Sequence, residues 1–91
     1  MANESTDKSL LQFPCEFIIK VFGVASDEFE ATVISIIRNH ISDIRAEAFK
    51  SRPSKDGKYL ALTITADVES KEQLDNIYRD LTSNPLILMA L

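Results

Sequence analysis

A thiol at Cys15, an imidazole at His40 and four bases at Lys50, Arg52, Lys55 and Lys58 are the side chains best equipped for chemistry in this chain. A nucleophilic thiol needs a base or a positive field to lower its pKa. Cys15 instead stands between Pro14 and Glu16, and a nearby acid raises a thiol pKa. Strand alternation points Cys15 inward with Phe17, which predicts a buried structural thiol. His40 is the single histidine, and a zinc site needs three or four protein ligands, for which no Cys/His cluster exists. Its place in the last turn of a helix suits a contact with the negative end of the helix dipole. With two glycines, Gly23 and Gly57, neither a dinucleotide fingerprint nor a Walker loop can be written. No catalytic residue, metal ligand or cofactor is expected, and the chain is not expected to be an enzyme.

The bases are the strongest polar signal. Lys50, Arg52, Lys55 and Lys58 crowd four of the ten basic residues around one hairpin, where they could meet an acidic partner or a phosphate. Charged hairpin tips also guard against aggregation. A second candidate is the loop that reads Gly23-Val24-Ala25-Ser26-Asp27-Glu28. Gly23 would let a backbone approach a ligand, the amides from Ser26 to Glu28 offer donors, and the carboxylates of Asp27 and Glu28 suit an amino group better than a phosphate.

These groups must be positioned by few elements. Ninety-one residues make one domain, and a chain this short buries roughly 60–65% of its unfolded surface. Residues 1–9 are polar and aperiodic, a disordered tail before a single domain over 10–91, with Leu10, Leu11 and Phe13 beginning to adhere to the body. A net charge of −4 argues against a sequence-independent grip on nucleic acid or an anionic membrane. One cysteine excludes an internal disulfide and favours a reducing compartment. No signal peptide or membrane-length apolar run is visible, so a cytoplasmic location is expected.

Along the chain the hydrophobic period switches 2, 3.6, 2, 2, 3.6, 2. Cys15 to Gly23 reads as a strand with Cys15, Phe17, Ile19 and Val21 on one face and Glu16, Ile18, Lys20 and Phe22 on the other. Ser26 caps a helix to about Ile41, with Phe29, Val33, Ile36, Ile37, His40 and Ile41 as its stripe. Asp43 to Arg52 reads as a second strand with Ile44, Ala46 and Ala48 inward and Phe49 outward, stopped by Pro53. The turn Ser54 to Gly57 leads into Tyr59–Val68, in which Leu60, Leu62, Ile64, Ala66 and Val68 share a face. Ser70 with Gln73 forms a capping box for a helix to Thr82, with a stripe of Leu74, Ile77, Tyr78 and Leu81. Asn84-Pro85 breaks it, and Leu86 to Leu91 is a last strand, apolar on both faces.

The order β-α-β-β-α-β predicts an α+β fold, the ferredoxin-like plait: a four-stranded antiparallel sheet with two helices on one face, strands one and three central. Ile18, Phe22, Phe49 and Tyr59 should then project from the helix-free face, joined by Leu86, Leu88 and Ala90 or by Ile87, Met89 and Leu91. So large an apolar patch predicts self-association or a protein partner. RNA-recognition modules share this order, but Tyr59 is followed two residues on by Ala61 rather than an aromatic, and the net charge is negative, so nucleic acid is not expected. Acylphosphatase-like enzymes also share it, but need an arginine in the loop after the first strand, where this chain has two acids.

Phe13-Pro14, Phe17, Lys20-Val21 and Gly23, then Pro53-Ser54 with Gly57 and Tyr59, then Thr63-Ile64-Thr65, then Ser70, Gln73-Leu74, Tyr78 and Leu81, then Met89 and Leu91, occur in an order that resembles the YbeD-like family of small bacterial proteins. The likeness runs from about residue 10 to the end, and this chain departs from the family's pattern at Lys55-Asp56. It implies a fold similar to the regulatory ACT domains of amino-acid metabolism and a suggested link to lipoate metabolism. It assigns no catalytic residues. The expected role is therefore a non-catalytic regulatory or ligand-sensing module of ACT-like type, taking a small metabolite near the Gly23 loop. The alternative is a protein–protein adaptor using the outer sheet face or the basic hairpin.

Overall fold

The structure is a computed structural model and describes residues 12–91; the expectations for the tail and for Leu10 and Leu11 lie outside them. The elements are β1 (Cys15–Val24), α1 (Asp27–His40), β2 (Phe49–Pro53), β3 (Tyr59–Val68), α2 (Lys71–Thr82) and β4 (Ile87–Ala90). Every strand pairing is antiparallel and the spatial order is β2-β3-β1-β4, the ferredoxin-like plait with β1 and β3 central.

Alternation explains the central strands. Ile19 and Val21 of β1 lie opposite Ile64 and Leu62 of β3, and all four are fully buried. Phe29, Val33 and Ile37 of α1 and Leu74, Ile77 and Leu81 of α2 pack into the same cluster, so both helices cover one face of the sheet. Each helix starts on a serine. Ser26 Oγ accepts from Phe29 N at 2.9 Å, and Ser70 Oγ accepts from Gln73 N at 3.0 Å; such caps contribute about 1 kcal/mol each. The capping box differs in detail from its usual form. Gln73 Oε1 accepts from Glu69 N rather than Ser70 N, and Gln73 Nε2 donates to His40 O, tying the start of α2 to the end of α1.

Two expectations are corrected. Residues 43–48 are not strand: Ala46–Ala48 form a 3-10 turn closed by Ala48 N donating to Arg45 O, and β2 begins only at Phe49. The ladder to β2 ends at the Phe49–Ile64 pair, and ahead of it the backbone bonds locally instead, Ile44 N to Ile41 O and Ala48 N to Arg45 O. Phe49 consequently faces inward, opposite buried Ile64, and Arg38 sits 5.8 Å above its ring; it is not part of the outer face. β4 is shorter than expected and carries a register shift opposite Phe22 and Gly23. Ile87 and Ala90 face inward, while Met89 opposite Phe22 and Leu91 opposite Lys20 face outward, so neither of the two expected alternating sets holds.

Candidate interaction face

The helix-free face is built from cross-strand rows, because residues directly opposite in an antiparallel pair point the same way. Arg52, Ala61, Phe22 and Met89 form one row, and Lys50, Thr63 and Lys20 form the next, with Leu91 bonded to Lys20 through both backbone groups at 3.0 and 2.7 Å. Tyr59 and Val24 flank the first row on the hairpin side, while Thr65 with Ile18 and then Asp67 with Glu16 continue the face the other way. Ile18 (49% exposed), Val24 (52%), Tyr59 (42%) and Met89 (51%) leave about half their surface to solvent on the side away from α1 and α2. Of the residues predicted for this face, Ile18, Phe22 and Tyr59 are there and Phe49 is not.

The face is also cationic. Lys20, Lys50 and Arg52 have no carboxylate within ion-pair distance among the described residues. Lys58 Nζ lies 5.4 Å from the Tyr59 ring centroid, a cation–π contact. The four predicted bases thus divide: Lys50 and Arg52 stand on the sheet face, and Lys55 and Lys58 belong to the turn.

Asp56 organises that turn. Its Oδ1 accepts from Lys58 N at 3.0 Å and from Ser54 Oγ at 2.7 Å, and Gly57 takes a positive φ of 74°. The Lys58 amide, followed by the Ser54 hydroxyl, holds the Asp56 carboxyl below its ordinary value of 3.8. Because these bonds favour the carboxylate, the stability they confer is present above the ordinary carboxylate range and is lost as pH falls through the lowered value. In an NMR titration the Lys58 amide should shift with an apparent pKa below 3.8. Titration at or above the ordinary value would show that the acid does not hold the turn. Tyr78, half-buried with its ring edge-on to Phe17, has its phenol pKa raised by desolvation.

The candidate ligand loop lies at the same end of the sheet, joined to the hairpin by Ala25 N donating to Lys58 O at 2.9 Å. Ser26 is occupied as the α1 cap, and Asp27 and Glu28 are exposed in its first turn. Gly23 faces inward, and the room left by its missing side chain is filled by the Phe29 ring and by Leu86 O, so its backbone meets this chain's own core.

Cys15 points to the helix side opposite Val68 as expected, but at the end of the sheet it is only half-buried. His40 Nε2 lies 2.6 Å from Asp80 Oδ2, a link between α1 and α2 that spacing in the sequence could not show. A cleft of about 920 Å³ opens at the far end of the sheet from Gly23, between residues 41–48, the end of β3 and the start of α2; Ile44, Arg45, Glu47, Asp67 and Gln73 are among its walls. The sequence does not show this cleft because its alternation reads as strand over 43–48. The low strand propensity of Ala46-Glu47-Ala48 was the available signal. No helix among the described residues is long and apolar enough to cross a membrane.

The fold and this face define a small α+β protein whose four-stranded sheet carries helices on one side and an exposed, apolar and cationic surface on the other. The chain belongs to the family described as protein of unknown function DUF493, which matches residues 8–91, in keeping with the YbeD-like resemblance. Among its relatives, a UPF0250 protein of Neisseria meningitidis serogroup C, NMC1112, is 43% identical over 91 residues covering all of both chains. A UPF0250 protein of Paraburkholderia phytofirmans is 40% identical over 87 residues, 96% of this chain and 98% of the relative. The solution structure of protein HP0495 from H. pylori superposes with a TM-score of 0.70 at 16% identity, covering 100% of this chain and 94% of that one, which shows a shared fold.

Proposed function

We propose that this chain is a non-catalytic regulatory module that acts by binding another protein through the outer face of its sheet. The observation that carries the reading is the set of half-exposed apolar side chains, Ile18, Val24, Tyr59 and Met89, on the sheet face opposite α1 and α2. Exposed apolar groups gathered on one face are the usual mark of an interaction surface. Ile18→Ser with Met89→Ser removes apolar area without touching the buried cluster. Immobilised full chain should retain specific proteins that the double variant, still folded by its thermal transition, releases. Identical retention by both would overturn the reading.

A second reading, ligand sensing of ACT-like type with the lipoyl link that the family resemblance implies, is favoured by the cleft beside Arg45 and Gln73. A ligand that binds only the folded state raises the melting temperature with concentration. Thermal scans with free amino acids, lipoyl compounds, nucleotides and metal ions should show a saturable rise with one class, and a flat panel would count against sensing.

A further inference from the structure

We infer that the outer sheet face takes an acidic amphipathic helix of a partner protein, an inference that rests on the interaction reading above. The apolar band formed by Ala61, Phe22 and Met89 with Tyr59 and Val24 is framed by cations on both sides. Lys50 and Lys20 lie in the next row on one side, and Lys58 lies over Tyr59 on the other. Arg52 closes the band at the β2 edge. The chain as a whole carries −4, so this concentration of bases on one face runs against its overall charge. A leucine-type stripe flanked on both sides by carboxylates would bury the band and meet every one of these bases. Four strands span roughly 14 Å across the sheet, a length that a helix of about ten residues covers.

Two other occupants fit less well. A second copy stacked apolar band on apolar band brings Lys20, Lys50 and Arg52 of both copies into one interface. The acids of this face, Glu16 and Asp67, stand two rows beyond the lysines. A single-stranded nucleic acid could stack on Phe22 and Tyr59, but Val24, Met89, Ile18 and Leu91 offer it no aromatic surface.

The test is an NMR titration of the isotope-labelled full chain with four probes. Three are helical peptides of 14 residues: one with a leucine stripe flanked by glutamates, one with lysines replacing the glutamates, and one with serines replacing the leucines. The fourth is a ten-residue oligothymidylate. Only the glutamate–leucine peptide should give saturable shifts, centred on the amides of Lys20, Phe22, Lys50 and Ala61. Lys20→Glu with Lys50→Glu should weaken it by about tenfold, and added salt should weaken it further. Equal binding of the lysine peptide or the oligonucleotide, or a concentration-dependent dimer burying the same amides, would overturn the acidic helix while leaving an interaction face. Silence of this face toward every probe and toward dilution would overturn both.

Discussion

Phe29→Ala should cost about 3–5 kcal/mol of stability, the range for emptying a large aromatic site in a core. Phe29 is 1% exposed, lies in the first turn of α1, and packs on the backbone of β1 at Gly23. Its removal opens a cavity that neither side can close. The N-terminus of α1 is pinned there by the Ser26 cap, and β1 is held by β3 and β4 on its two edges. For a chain of this length the loss corresponds to a fall of roughly 15 °C or more in melting temperature, a large part of the stability of a small domain. Thermal or urea unfolding monitored by circular dichroism reads it directly. A change under about 1 kcal/mol would mean that the helix can settle onto the sheet, contrary to this packing.

Gly23→Ala should cost about 1–3 kcal/mol through overpacking, although one methyl group is all that is added. A Cβ at this position would lie 2.5 Å from Phe29 Cδ1 and 2.8 Å from Leu86 O, the first an enclosed ring and the second backbone. Neither is the free end of a flexible side chain, so β4, α1 or both must shift. The two variants test one contact, and their costs should not add. In the Phe29→Ala background Gly23→Ala should cost less than alone, by about 0.5–3 kcal/mol of coupling. Some penalty should persist because Leu86 O remains. Strict additivity in the four-member cycle would refute the Gly23–Phe29 packing. The same cycle guards functional work: activity lost with Gly23→Ala would report unfolding before it reported a ligand site.

The face fared differently from the core in what could be read ahead. Ile18, Phe22 and Tyr59 face outward as alternation predicts, because each belongs to a strand of unbroken alternation anchored by buried neighbours. Alternation that starts at Asp43 puts Phe49 on the wrong side of the sheet. The 3-10 turn at Ala46–Ala48 interrupts that count. At β4 the register shift opposite Phe22 and Gly23 turns Met89 and Leu91 outward while keeping Ile87 and Ala90 inside, a pattern no strict period of two produces. In the sequence Gly23 reads as room for a ligand. The residue that fills that room, Phe29, reads as core in the sequence, but the meeting of the two is a tertiary fact.

By itself the sequence determined the order of elements, the fold class, the inward faces of β1, β3 and both helices, and the serine caps. All of these depend on contacts within a few residues or on a period that burial enforces. Only the tertiary structure decided where β2 begins, how β4 is registered, which bases reach the open face and which close the turn, and that His40 meets Asp80. The physical reason is common to all four. Each depends on which groups, backbone or side chain, meet across elements distant in sequence, and local propensity is indifferent to that choice.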